Sequence, residues 1–408
     1  MGGDGPSRGL QANVWKLYLY HFLLNLGLWW PIWVVYLQEE KGLSLGQVGL
    51  LEVPFWATIA LFQVPAAALA DRWGRKLALV LGALALTGAV TLFGLAVGFW
   101  MLVLSYVLWA FSFTFTWGPD SAFLYDTLRA LGREEDYQRL YGRAWGINML
   151  ATVAGTLAGA PIAAATDLQM PILLTIGLAF GAVLVALTFR EPLTAFRQEM
   201  AASFWAVVRE GVAIAVGRPV LRYALLFSGV ATLASVGPLL FVQPFLVGHG
   251  VTLGQLGFWQ APVRLAGAVG SLWAYKLGAL VGEKGGLVAL VTLAAAAYGL
   301  LALWDSLYAV VAFFAMNLAF VGARPLVTDY LNRRLLSGQR AMVVSLTTLI
   351  YALVRIPASP LSGYVASAAS LTVAGGVLAC LMFGLGLLVL SLWQRAEARE
   401  ARLPALAP

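Results

Sequence analysis

The side chains best placed to do chemistry are those that ought to be costly where they stand. Glu52, Asp120, Arg264, Arg324 and Arg355 interrupt long apolar runs, and His21 adds a titratable imidazole to the first of them. An ionisable group in such a run costs several kcal/mol unless water, an opposite charge or a hydrogen-bond partner meets it, so each marks a candidate site. The two acids have the chemistry of proton carriers, because burial favours the neutral form of a carboxyl group. Asp120 is the stronger candidate, since Gly118-Pro119 just before it can loosen a helix and admit water; Glu52 is the weaker. The arginines have the chemistry of anion or polar-headgroup binders, because a guanidinium stays charged when buried and offers a rigid fork of donors. The alternative for Arg264 and Arg355 is structural pairing, with Glu52, with Asp120 or with carbonyls freed by Pro262 and Pro357. His21 reads as a hydrogen-bonded packing residue.

Spacing sorts these residues onto helix faces. Thr348, Tyr351, Arg355, Ser359 and Ser362 recur at steps of three or four, as do Gln260, Arg264, Gly267, Ser271 and Tyr275. Asn317, Arg324 and Thr328 form a third stripe, Phe113, Thr116, Trp117 and Asp120 a fourth, and His21, Asn25 and Trp29 a fifth. Lipid cannot satisfy polar stripes, so they must face inward. The substrate-binding set expected from these faces is Asn25, Trp29, Phe113, Trp117, Gln260, Arg264, Asn317, Tyr351 and Arg355, with Asp120 and Glu52 as proton-coupling candidates. Trp29, Trp30, Trp33, Trp117 and Trp259 could stack an aromatic or amphipathic molecule, although interfacial anchoring explains many membrane tryptophans.

Transmembrane helices must carry these faces. Of the 408 residues 61% are hydrophobic and 11% charged, against about 45–50% and about 25% in soluble domains; the mean hydropathy is +0.83. A span needs about 20 mainly apolar residues, and such runs fall at 14–38, 47–70, 76–98, 100–122, 144–166, 168–189, 220–246, 254–278, 285–304, 306–326, 341–366 and 370–393. With the N-terminus and every even connection on one side, that side holds 22 of the 26 Lys and Arg residues, and the other only Lys41. Both termini are therefore expected in the cytoplasm. The net charge of +7 is then a topology signal rather than a nucleic-acid footprint. Two histidines and one cysteine make no zinc site, no phosphate-binding or dinucleotide fingerprint is present, and no nucleophile–base pair stands in a span. No cofactor, no metal and no enzymatic centre are expected. Residues 1–13 are polar and Gly-rich, which is not the pattern of a cleavable signal. In the longest connection, Phe196, Met200, Phe204 and Val207 have helical spacing and predict a helix on the cytoplasmic surface, a flexible linker being the alternative.

The chain repeats itself. Leu45-Gly46-Gln47-Val48-Gly49-Leu50-Leu51-Glu52-Val53-Pro54 and Leu253-Gly254-Gln255-Leu256-Gly257-Phe258-Trp259-Gln260-Ala261-Pro262 share Leu, Gly, Gln, Gly and Pro in register, and Glu52 falls opposite Gln260. Ser44 and Thr252 each precede a Gln by three residues, the pattern of a capped helix start. Phe123-Leu124-Tyr125-Asp126-Thr127-Leu128 likewise echoes Leu326-Val327-Thr328-Asp329-Tyr330-Leu331. Six spans plus six is the architecture these repeats predict.

Between the second and third spans stands Ala67-Ala68-Leu69-Ala70-Asp71-Arg72-Trp73-Gly74-Arg75-Lys76. It resembles the G-x-L-a-D-r-x-G-r-k signature of the major facilitator superfamily, with Ala67 in place of the usual Gly. Gly146, Gly155 and Gly159 in span five resemble, less closely, a motif of the drug/proton antiporters in that superfamily; Ala160 intervenes before Pro161, and Ala164 and Ala165 replace a closing Gly pair. The resemblance implies an all-α integral membrane protein of two pseudo-symmetric six-helix bundles, residues 1–190 and 220–394, with a cytoplasmic linker at 191–219 and a tail at 395–408. It implies alternating access about a central cavity. It also implies a cytoplasmic latch in which Asp71 caps the start of the eleventh span near Ala341–Ser345 and Arg75 pairs with Asp126. Arg72, Gly74 and Lys76 complete that latch, and Arg324 reads as a gate or packing charge. The function expected is proton-coupled export of small amphipathic or drug-like molecules by a monomer in a bacterial cytoplasmic (inner) membrane. The alternative is a carrier of an organic anion, polar metabolite or lipid headgroup held by Arg264 and Arg355.

Overall fold

The computed structural model of the chain describes residues 5–192, 217–335 and 337–401, with Arg209 and Ala213 in addition. The surface helix expected over 196–207 lies outside them. Among the described residues no strand occurs, and ten helical segments are long and apolar enough to cross a membrane.

Those ten become twelve spans for two reasons. The segment Leu253–Leu303 contains Gly282 at φ 74 and ψ 161, values that end one helix and start another. The first span escapes the hydropathy count because it is broken. Where one helix is expected over 14–38, the chain forms α1 (Gly5–Asn25) and α2 (Trp33–Glu39). Between them Trp30 N–H donates to Gly27 O and Ile32 N–H to Trp29 O, turn bonds that replace the helical ladder ahead of Pro31, which has no N–H to donate. Next come α3 (Leu45–Trp73) and α4 (Arg75–Leu95). Span four is divided too, into α5 (Phe99–Thr116) and α6 (Pro119–Ala130), so it ends well past the expected residue 122. Gly118 joins them at φ 100, in the left-handed region that glycine alone enters without cost, and Pro119 supplies the first residue of the new helix. Then follow α7 (Tyr137–Ala165), α8 (Met170–Leu187), α9 (Pro219–Thr232) and α10 (Val242–Gly248). The last four are α11 (Leu256–Leu303), α12 (Val311–Asn332), α13 (Ser337–Ala368) and α14 (Leu371–Glu400).

The helices gather into two compact units. The first is Met1–Gly42, Pro54–Ala202 and Thr252–Ala261; the second is Leu43–Val53, Ser203–Val251 and Pro262–Pro408. Each unit thus includes one short segment from the other half of the sequence, and the two exchanged segments are the repeated ones. Glycine explains the exchange. In the second unit a Cβ on Gly49 would strike the carbonyl oxygen of Ser359; in the first, a Cβ on Gly257 would strike that of Thr156. The span-five glycines act in the same way: Gly155 and Gly159 pack on the backbone of Gly27 and Leu28, whereas Gly146 meets nothing within 4 Å.

The first unit's core joins α1, α4, α6, α7 and α8 through Leu17, Tyr20, Leu79, Phe123, Leu140 and Val183, all buried. In the second unit a tight turn at Leu233–Ser235 and a wide turn at Gly237–Phe241 separate α9 from α10. Tyr298 repairs this break, accepting from Gly237 N–H and donating to Leu233 O, both at 2.8 Å.

Candidate functional site

The breaks in spans one and four build a cavity of about 60 Å³ inside the first unit. Ending α1 at Asn25 leaves His21 and Asn25 on its last turn, and Asn25 Nδ2 returns to His21 O at 2.8 Å. Starting α6 at Pro119 puts Asp120 in the first helical turn, where free N–H groups and the positive end of the helix favour a carboxylate. Its Oδ1 accepts from Gly118 N–H at 3.1 Å and Ser121 N–H at 2.7 Å. Its Oδ2 lies 3.5 Å from His21 Nε2. Both side chains are buried, and His21 Nε2 makes no hydrogen bond. Where a hydrogen-bonded packing residue is expected, the structure puts His21 on the wall of the cavity, buried and opposite the acid.

Aromatic rings form the rest of that wall. Trp29 and Trp30 stack with centroids 4.8 Å apart, and Trp109 meets both, at 5.0 and 5.5 Å. Phe113 stands edge-on to Trp117 at 4.5 Å. Trp145 and Asn148 enter from α7, and Ser112 and Thr116 from α5. The cavity therefore brings together Asn25, Trp29, Phe113, Trp117 and Asp120 from the residues named by spacing, and adds Trp109, Trp145 and Asn148. Trp109 was legible as the stripe of Phe113, Thr116 and Asp120 continued one turn back; Trp145 and Asn148 share a helix face that the glycine motif of span five obscures.

The remaining named residues stand elsewhere. Gln260, in the first unit, is buried and donates from Nε2 to Pro31 O at 2.8 Å and Leu256 O at 3.2 Å, serving the break in span one. In the second unit Arg355 is fully buried. Its Nη2 pairs with Glu52 Oε2, and its Nη1 donates to Ser235 Oγ at 3.0 Å. Ser359 Oγ donates to the same Glu52 oxygen at 2.8 Å. Of the partners that the sequence leaves open to Arg355, the structure pairs it with Glu52, and the two balance one another's charge. Tyr351 shares Ser235 with Arg355 and lies within electrostatic reach of Arg355 and Arg324. Asn317 Nδ2 donates to Val263 O at 2.7 Å. Arg264 is half-buried on α11 and Arg324 exposed on α12.

The signature connection makes its own cluster in the first unit. Arg75 pairs with Asp71 one turn back and lies 3.8 Å from Asp126. Gly74, at φ 103, turns the chain into α4, whose first N–H groups, on Arg75 and Lys76, donate to the two oxygens of Glu191 at 2.7 Å each. Arg72 is exposed beside them. Glu191 escapes sequence reading because it caps a helix more than a hundred residues away. The expected contact of Asp71 with Ala341–Ser345 lies outside the residues whose side chains are described.

Among the described residues no cluster of His, Cys, Asp and Glu could hold a metal ion. Broken membrane helices, a buried acid at a half-helix start and an aromatic-walled cavity define the class: a polytopic helical membrane protein with a polar site inside one helical unit. The sequence profile described as Major Facilitator Superfamily matches residues 17–359. The chain belongs to that superfamily, and its structural neighbours are transporters. It is similar to the nucleoside transporter NupG (TM-score 0.70, 12% identity, covering 93% of this chain and 99% of that one). It is similar also to a bacterial homolog of the human lysosomal transporter Spinster in an inward-facing and occupied conformation (TM-score 0.69, 18% identity, 97% and 98% covered). A third is the E. coli fucose:proton symporter FucP (TM-score 0.61, 15% identity, 95% and 99% covered). At these identities the likeness is one of fold. A comparison with curated proteins finds no match.

Proposed function

We propose that this chain is a proton-coupled exporter of small amphipathic molecules. It works as a monomer by alternating access in a bacterial cytoplasmic membrane, with both termini in the cytoplasm. The observation that carries this reading is Asp120. It is a buried acid with one oxygen held by the backbone of a half-helix and the other turned towards a cavity walled by Trp29, Trp30, Trp109 and Trp117. Such a group can exchange a proton for a ligand without rearranging its own helix, because Oδ1 keeps its two backbone bonds. Glu52 is less suited to that task, since Arg355 and Ser359 already occupy one of its oxygens. The same pairing weakens the organic-anion alternative, because two of Arg355's three nitrogens have partners. Likeness of fold to a fucose:proton symporter is in keeping with this reading.

The test uses proteoliposomes with an imposed pH gradient and the amphipathic dye rhodamine 6G. Asp120→Asn should abolish uphill movement of the dye yet retain its counterflow exchange. Uphill transport by Asp120→Asn at the wild-type rate would remove Asp120 from the mechanism.

A further inference from the structure

One charge in the second unit has no counterpart among the described residues. Arg324 stands on α12, nine residues before Arg333, which with Arg334 closes the helix where basic residues mark a membrane surface. At 1.5 Å of rise per residue it lies about 14 Å deeper, close to the middle of a hydrocarbon core about 30 Å thick. Its side chain is exposed, and among the described residues it forms no ion pair and no hydrogen bond. A guanidinium at that depth is costly unless water or an anion meets it.

The acids of the second unit on which it could draw are committed to other bases. Glu52, the one acid within the spans gathered there, is held by Arg355. At the end of α12, Asp329 and Glu283 both pair with Arg333, at 2.9 and 3.2 Å, and Glu397 pairs with Lys284. Arg355, an arginine that spacing favours for an anion, is thus occupied by Glu52 and by Ser235, and Arg324 takes its place as the candidate.

Its neighbours set what kind of anion fits. Phe320 and Thr328 stand one helical turn to either side of Arg324, on the same face of α12. The Phe320 ring meets that of Tyr351, from α13, with centroids 5.6 Å apart and planes at 42°. Tyr351 also lies within electrostatic reach of Arg324, and both rings are half-buried. Thr328 is exposed, and its hydroxyl can donate to an oxyanion. A guanidinium between a hydroxyl and an aromatic pair offers charge and donors to an acid group and a flat apolar surface to the body that carries it. We propose that this face of the second unit binds an aromatic organic acid, with Arg324 on the oxyanion and Phe320 and Tyr351 against the ring. None of these residues lines the cavity of the first unit, so the site goes beyond the exporter reading above and does not depend on it.

The probe is naphthalene-2-sulfonate, compared with methyl 2-naphthyl sulfone, in which a methyl group replaces the charged oxygen. The sulfonate is ionised throughout the neutral range, so proton uptake by the acids of the protein leaves the ligand unchanged. Binding to the purified full chain is read by isothermal titration calorimetry and by thermal stabilisation at pH 7.5. The sulfonate should bind at least about tenfold more tightly than the sulfone. It should exceed inorganic sulfate, which has charge and no ring, by at least about tenfold as well. Arg324→Gln should remove the preference over the sulfone while leaving the unfolding midpoint without ligand unchanged, and Arg324→Lys should keep part of that preference. Phe320→Leu should weaken the sulfonate and leave sulfate as it was. Equal affinity for sulfonate and sulfone, or for sulfonate and sulfate, overturns the proposal. So does Arg324→Gln with a lowered midpoint and the preference intact, the result of a purely structural charge. Proton-driven transport of rhodamine 6G with no binding of the sulfonate would overturn this inference and leave the exporter reading intact. Arg324-dependent binding of the sulfonate, with no proton-driven transport in proteoliposomes, would do the reverse.

Discussion

Removing either partner of the Glu52–Arg355 pair should destabilise the protein, but by unequal and differently pH-dependent amounts. Both side chains are buried, Arg355 completely. Breaking a buried ion pair from one side costs about 3–5 kcal/mol, because the charge left behind has neither water nor partner. A guanidinium cannot shed its charge, so Glu52→Gln should cost about that amount at any pH from 5 to 8. A carboxylate can escape by taking up a proton. For an acid of ordinary aqueous affinity, with a pKa of about 4.3, forced neutrality costs about 3.7 kcal/mol at pH 7 and about 1 kcal/mol at pH 5. Arg355→Gln should therefore cost no more than about 3.7 kcal/mol at pH 7 and about 1 kcal/mol at pH 5. The sign follows from proton uptake: the folded variant holds a proton that the unfolded chain releases at pH 7, so acid favours its folding. The double variant Glu52→Gln/Arg355→Gln leaves no buried charge and should be more stable than Glu52→Gln. Unfolding of the detergent-solubilised protein in SDS, at pH 5 and pH 7, measures all three. Equal losses for the two single variants with no pH dependence, or additive losses in the double, would refute the reasoning.

Further outcomes follow from contacts elsewhere. Gly257→Ala should cost about 1–3 kcal/mol, because the added methyl meets the Thr156 carbonyl oxygen and both are backbone-bound; thermal unfolding checks this against Gly299→Ala, whose site is open and which should be neutral or better. Glu191→Ala should lose about 1 kcal/mol by uncapping α4, and protease sensitivity of the connection at 72–76 should rise with it. Tyr298→Phe should cost about 1–3 kcal/mol by leaving the buried Gly237 N–H without its acceptor, read as a lower unfolding midpoint in the same denaturant series.

The architecture was readable from the chain because its determinants are local or periodic. Apolar runs count the spans, and the repeated Leu-Gly-Gln segments announce the doubling. Glycine and proline also announced one of the breaks, at Gly118-Pro119. The break at Gly27–Pro31 was missed because the apolar run continues through it without a drop in hydropathy. Partnerships were harder to read. Helical spacing puts Arg355 on an inward face but cannot choose, among Glu52, Asp120 and free carbonyls, the partner three hundred positions away. It put His21 and Asp120 on separate stripes that meet only because α1 and α6 pack together. Glu191 was invisible for the same reason: nothing beside it in the chain needs a cap.

Glu52 and Gln260 occupy the same station of the repeat; the first ties its helix to α13 by charge, and the second ties its helix to the break in span one by an amide. That difference constrains how the site can be changed by mutation. A neutral side chain at such a station needs only a carbonyl, which every backbone supplies, so position 260 should tolerate replacement by other donors one at a time. Position 52 is locked to position 355: a neutral residue at either leaves the other without its charge partner, and a library that varies them separately will score both as costly to change. Varied together, they should open a set of neutral pairs that stepwise substitution never reaches.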